Sequence, residues 1–166
     1  HNTDISGFEL AMRGKSYDIK GKKIFILGAG GVVSSIILAL KKMGANKIIL
    51  SNRTKKKAEQ LKKIFFDLEI VDWGEIPEFN MIINATSLGL NKEDEIKLDY
   101  ADLGPNKLFY DVIYNPKQTK FLSKAKQFGN QTENGKMMFI YQAHQAFTLW
   151  HKVMPKIDEE TIKLLD

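Results

Sequence analysis

The chain has 166 residues, a length for one compact domain with a real core and short for two. Its 43% hydrophobic and 27% charged content is that of a soluble globular protein, with no apolar run near the ~20 residues that span a bilayer and no signal-peptide pattern in HNTDISGFEL. The absence of cysteine excludes disulfides and thiolate zinc sites and makes the cytoplasm the expected compartment, while a net charge of +5 admits phosphate-bearing partners.

Helical and extended patterns alternate along the chain. ISGFELAM reads as a helix with Thr3 or Asp4 as its N-cap. KKIFILGAGG is a buried strand running into a glycine turn, and VVSSIILALKKMG an amphipathic helix closed by Gly44. NKIILSN is a second strand, followed by TKKKAEQLKKIFF, a helix with Thr54 at its N-cap. LEIVDW and FNMIINATS are short apolar runs of strand length, and LNKEDEIKLDYADLGPN is a polar loop turning at Gly104 and Pro105. KLFYDVIYNP is a further strand, closed by Pro116, and TKFLSKAKQFG a helix ending at Gly129. NGKMMFIYQAHQAFTLWHKV is a long helix of nearly continuous apolar character, and DEETIKLLD a short terminal helix capped by Asp158. The alternation predicts an α/β fold, a doubly wound, Rossmann-like, mostly parallel sheet with helices on both faces. Ligands of such sheets bind beyond the carboxyl ends of the strands where strand order reverses, between the first and fourth strands. Here those ends are GAGG and NATS.

In GAGGVV, Gly28, Ala29, Gly30 and Gly31 stand between a strand and a helix, the context a dinucleotide fingerprint requires. Gly28 permits the tight turn and Gly30 the approach of a pyrophosphate, whose charge the helix N-terminus favours. A plain turn is the alternative. Val33 occupies the third position of the fingerprint and is bulky enough to push the helix off the sheet.

NAD-selective sites place an acid near the end of the second strand. This chain has Ser51-Asn52-Arg53-Thr54 there, followed by Lys55, Lys56 and Lys57. A guanidinium and a hydroxyl hold a 2′-phosphate that an acid would repel. Two charge-assisted contacts of roughly 1.5–3 kcal/mol each favour NADP over NAD by about a hundredfold or more. Asn52, Arg53, Thr54 and Lys57 are therefore assigned to the cofactor. The alternative is a solvated helix face with Lys55 and Glu59 paired at i, i+4, which accounts for the cations and leaves the missing acid unexplained. Nucleic-acid binding is disfavoured because only Arg13 and Arg53 are arginines and the lysines are scattered among acids. His1, His144 and His151 form no metal-ligand spacing with any acid, so no metal is expected.

NTDISGF, GAGG, NRT, NATSLGL, DVIYNPKQT and NGKMMFIYQAHQAFTLW occur in the order found in shikimate dehydrogenase, and the chain resembles that family from residue 2 to about residue 150. The shorter set GAGG, NRT and ATS is also similar to glutamyl-tRNA reductase; the last two motifs separate the families. The resemblance implies NADP-dependent, reversible reduction of 3-dehydroshikimate to shikimate in aromatic amino-acid biosynthesis, with quinate as an alternative substrate. It implies that Asp4 does the proton work as half of a Lys/Asp pair, and that Asn2, Tyr114 and Gln142 contact substrate. It places Thr86, Ser87 and Leu88 on the nicotinamide side and Gly135 and Met138 beside the nicotinamide ring. The family's second glycine near that ring is replaced by Met137. Read without the resemblance, Asp4 is a helix cap, Tyr114 and Met138 are core packing, and Gln142 is a polar residue on a buried helix face.

In that family the catalytic lysine and a serine-rich carboxylate site belong to a substrate domain preceding the NTD motif, a context no lysine here shares. The expectation is the NADP-binding portion of a longer enzyme, inactive alone, with a stand-alone NADP-binding module as the alternative. Residues 1–16 would form a junction helix, 17–133 the NADP-binding domain, and 134–166 helices returning toward the substrate domain. The apolar faces of FELAM and MMFIYQAHQAFTLW would then be partly exposed here. Monomer and homodimer both remain open.

Overall fold

The computed structural model describes residues 2–165. His1, weighed above as a metal ligand, lies outside them, as does the extreme C-terminal residue of the predicted last segment. Among the described residues six strands form one sheet: β1 (Lys23–Leu27), β2 (Lys47–Ser51), β3 (Glu69–Ile70), β4 (Met81–Asn84), β5 (Leu108–Asp111) and β6 (Gln131–Glu133). Their order is β3-β2-β1-β4-β5-β6, and every pairing is parallel. Strand order thus reverses between β1 and β4, where GAGG and NATS leave the sheet side by side.

Alternation of side chains across each strand makes two cores. Ile24, Ile26, Leu50, Ile83 and Tyr110 face one side, where α1 (Thr3–Gly14), α2 (Val33–Lys42), α3 (Lys55–Ile64) and α6 (Lys136–His151) bury Phe8, Ile36, Leu61 and Met138. Phe25, Ile49, Ile82 and Phe109 face the other, covered by α4 (Tyr100–Leu103) and α5 (Lys120–Gln127) through Tyr100 and Phe121. A short α7 (Glu159–Lys163) follows, capped by Asp158 as expected from DEETIKLLD.

Several local expectations change. Asn2 caps α1, its side chain accepting the Asp4 N–H at 3.1 Å, so neither Thr3 nor Asp4 is the cap. Val33 does not push α2 away; it is fully buried in the core. The run LEIVDW yields only a two-residue edge strand, and the polar loop before β5 contains α4, opened by Asp99. β6 was not predicted, because QTE has no apolar pattern and is held through its backbone pairing with Leu108–Tyr110. Lys55 pairs with Asp72 at 2.6 Å instead of Glu59. Most of the FELAM face is covered, with Phe8, Ala11 and Met12 buried against the sheet and α6, while Leu10 stays half-buried. The end of α6 and the segment after it do expose apolar area, with Trp150 at 79% and Met154 at 76%.

Candidate functional site

A cleft of about 310 Å³ opens at the β1/β4 crossover. Gly28, Ala29 and Gly30 line it from the turn after β1, Asn52, Arg53, Thr54 and Lys57 from the β2–α3 junction, and Thr86, Ser87 and Leu88 from the turn after β4. Three separate stretches of sequence assigned to one ligand therefore meet in one place. Gly31 stands just outside, exposed at the start of α2.

Gly28 has φ +109°, and its N–H donates to the Ser51 carbonyl at 2.8 Å. A Cβ at this position would lie 2.5 Å from the Ala85 carbonyl oxygen, so only glycine lets the two turns close on each other. Gly30 and Gly31 by contrast have open space where a Cβ would be, with nothing nearer than 4.0 Å. No side-chain oxygen caps α2, whose N-terminus borders this space. Backbone N–H groups and a helix dipole at an uncapped N-terminus make a seat for an anion.

The β2 end supplies charge. Arg53, Thr54 and Lys57 are exposed, and no Asp or Glu is among the described residues lining the cleft. Thr54 holds the N-cap position of α3 but makes no side-chain cap bond, which leaves its hydroxyl available. Asn52 donates to the Thr54 carbonyl at 2.8 Å and fixes the bend. Arg53 and Thr54 can both donate to a phosphoryl group at this point. These features fit a dinucleotide carrying an extra phosphate.

The turn after β4 is braced from beneath by groups that sequence reading missed. Asn84 and Asp111, register partners at the ends of β4 and β5, are both fully buried. The Asn84 amide donates to Asp111 Oδ1 at 3.0 Å and to the Leu88 carbonyl at 2.9 Å, while its Oδ1 accepts from the Thr86 N–H and hydroxyl. The Thr86 hydroxyl accepts the Leu88 N–H at 3.0 Å and is thus committed to the turn. Thr119, 2% exposed, donates to Asp111 Oδ2 at 2.7 Å, and the Ile113 N–H donates to Oδ1 at 3.1 Å. Burial pushes the Asp111 carboxyl above the ordinary carboxylate range, opposed by the bonds from Thr119, Ile113 and Asn84. The available signal was a polar residue closing each of the apolar runs MIIN and LFYD.

The predicted substrate positions lie outside this cleft. Gly7 lets α1 approach α6; a Cβ there would lie 2.8 Å from the Met138 carbonyl oxygen and 2.9 Å from Gln142 Cβ. The Thr3 hydroxyl reaches Gln142 Oε1 at 3.5 Å, so Gln142 and the start of α1 are neighbours. Asp4 sits half-buried in the first turn of α1. Asn2 caps that helix and donates to Ser35 Oγ at 2.9 Å. Tyr114 is half-buried and stacks on Phe139 at 4.7 Å between ring centroids. Gly135 is the buried N-cap of α6, and Met138 packs in the core at 4% exposure; neither lines the cleft. Among the described residues no group of three His, Cys, Asp or Glu is placed to hold a metal ion, and no helix is long and apolar enough to cross a membrane.

The family model for Shikimate / quinate 5-dehydrogenase matches residues 9–91. A curated relative, shikimate dehydrogenase (NADP(+)) of Pelagibacter ubique, is 59% identical over 165 residues, covering 99% of this chain and 62% of the relative. A solved quinate dehydrogenase from Corynebacterium glutamicum, in complex with NAD, superposes with a TM-score of 0.87 at 27% identity, over 99% of this chain and 61% of that one. Shikimate 5-dehydrogenase from Thermus thermophilus, in complex with NADP(H) and shikimate, superposes with a TM-score of 0.83 at 30% identity, again over 99% and 61%. The chain spans about three fifths of the length of the curated relatives it matches. It belongs to the shikimate/quinate 5-dehydrogenase family.

Proposed function

We propose that these residues are the cofactor-binding portion of an NADP-dependent shikimate dehydrogenase, which reversibly reduces 3-dehydroshikimate to shikimate. The observation that carries the reading is the acid-free end of β2, where Arg53 and an uncapped Thr54 line the cleft at the β1/β4 crossover. Gly28, Ala29, Gly30 and the N-terminus of α2 would hold the pyrophosphate. Asn52, Arg53, Thr54 and Lys57 would hold the 2′-phosphate, and Thr86, Ser87 and Leu88 would form the wall running toward the nicotinamide, with Leu88 at its adenosine end. Gly31, Gly135 and Met138 would contribute backbone and packing near the cofactor instead of cleft-lining side chains. Bound NADPH would supply the hydride. Residues 17–133 make up the cofactor domain in this reading, with 1–16 and 134–166 turned toward substrate.

Proton movement at the substrate hydroxyl falls to Asp4, assisted by binding contacts from Asn2, Tyr114 and Gln142. Two features support this. Asp4 is not spent as a cap, and the Thr3–Gln142 contact brings Gln142 to the start of α1. The 166-residue chain by itself binds NADP and does not turn over shikimate.

In a protein of the relatives' full length built around these residues, shikimate should drive reduction of NADP, followed by absorbance of the reduced nicotinamide. Asp4→Asn is expected to lower kcat about a hundredfold, with the dissociation constant for NADP changed less than about twofold. Turnover near that of the unsubstituted protein would remove Asp4 from the proton path. Quinate supporting faster turnover than shikimate would instead select the quinate branch of the family.

A further inference from the structure

We infer that Trp73 forms a wall of the purine seat in the dinucleotide site and sets much of the affinity there. The inference rests on the cofactor reading above and adds a residue to it. Trp73 follows β3 and is 40% exposed, a large aromatic side chain presented to solvent on the carboxyl side of the sheet. It lines the polar cleft that holds Arg53 and Thr54. It also lines a second cleft of about 400 Å³, walled by Leu27, Ile76, Ile96 and Leu98. Trp73 and Leu88 are the two residues that line both.

The adenosine end of a dinucleotide has matching parts: anionic phosphates on the ribose and a flat, largely apolar base. The first cleft offers cations and hydroxyls, and the adjoining one offers aliphatic walls and an indole. An indole face at their junction can stack on the base, as aromatic side chains do in nucleic-acid sites.

The segment carrying Trp73 is held in place. The Glu75 N–H donates to the Asp72 carbonyl at 3.1 Å and the Asp72 N–H to Glu75 Oε2 at 2.9 Å, closing a tight turn around Trp73. Ser51 Oγ ties the Asp72 carbonyl to the end of β2 at 3.1 Å. The Asp72 carboxylate is paired with Lys55, so the acid beside Trp73 is neutralised where a phosphorylated ligand would approach. Preorganisation of this kind favours binding because little freedom is lost.

The chain has two tryptophans, and Trp150 is 79% exposed at the end of α6, so Trp150→Phe leaves Trp73 as the only indole emitter. Titration of that variant with NADP or 2′,5′-ADP should change its emission saturably, with a midpoint matching calorimetry on the unsubstituted chain. Trp73→Ala should raise the NADP dissociation constant about tenfold, and Trp73→Phe should restore it to within about threefold. Calorimetric binding of NADP with unmoved Trp73 emission overturns the inference, as does a Trp73→Ala dissociation constant within about twofold. No calorimetric binding to the unsubstituted chain rejects the cofactor reading itself, and the purine seat with it.

Discussion

Gly28→Ala is expected to destabilise the chain by about 3 kcal/mol or more and to abolish tight NADP binding. Two effects add. The residue stands at φ +109°, where an L side chain is strained, and its new Cβ would meet the Ala85 carbonyl oxygen at 2.5 Å. That oxygen belongs to backbone anchored by the Ala85 N–H on the Leu27 carbonyl, so relief requires opening the β1/β4 crossover. Urea denaturation measures the loss as a midpoint shift of roughly 1 M or more. Gly31→Ala is the control: its Cβ would meet nothing within 4 Å, and stability should change by less than about 0.5 kcal/mol. Equal midpoints for Gly28→Ala and the unsubstituted chain would contradict the tight approach of the two turns.

Asp111→Ala should cost about 3–5 kcal/mol, because it orphans the buried Thr119 hydroxyl and Ile113 N–H and removes one acceptor of the Asn84 amide. It should also weaken NADP binding, since Asn84 positions Thr86 and Leu88 on the cleft wall. A pH dependence follows from burial. The folded carboxyl titrates above its ordinary value of 3.8, so the native chain holds this proton more tightly than the unfolded one. Stability from Asp111 is therefore full below pH 3.8 and declines as pH rises through the folded value. Measured against Asp111→Asn, which does not titrate, the unsubstituted chain should lose relative stability over that rise and then level off. A relative gain with rising pH would mean that the three donors outweigh burial and keep the group ionised.

Much of this site is legible from residue order alone. The runs KIFIL, KIILS and MIIN announce themselves as buried strands, and each is followed by the residues that line the cleft. GAGG and SNRT are local signals whose chemistry follows from composition. What escapes is set by tertiary contacts. Asn84 and Asp111 are 27 residues apart, and only the β4/β5 register places them side by side. Lys55 has a partner one helical turn away, yet Asp72, in the turn two residues beyond β3, takes it. Trp73 reads as the last residue of an apolar strand, but β3 ends at Ile70 and leaves it in a turn facing the cleft. Asn2, Thr3 and Asp4 are all good N-caps, and choosing among them depends on the Ser35 hydroxyl that also holds Asn2.

The NTD and YQAHQ motifs are bound together by a different device. Gly7 admits α6 close enough for Gln142 to meet Thr3, which explains a glycine in the middle of a helix where it would otherwise cost about 1 kcal/mol. Two distant motifs are thereby fixed relative to each other on the side of the sheet that carries α1, α2 and α6.

The proposed selection of the phosphorylated carrier by Arg53 and Thr54 is tested most directly by calorimetric titration of the chain and of Arg53→Ala with NADP and with NAD. The unsubstituted chain should bind NADP about a hundredfold more tightly than NAD. Arg53→Ala should weaken NADP at least about tenfold and leave NAD within about twofold. Equal affinity for both carriers, or equal weakening of both by the substitution, would contradict a 2′-phosphate held at the end of β2.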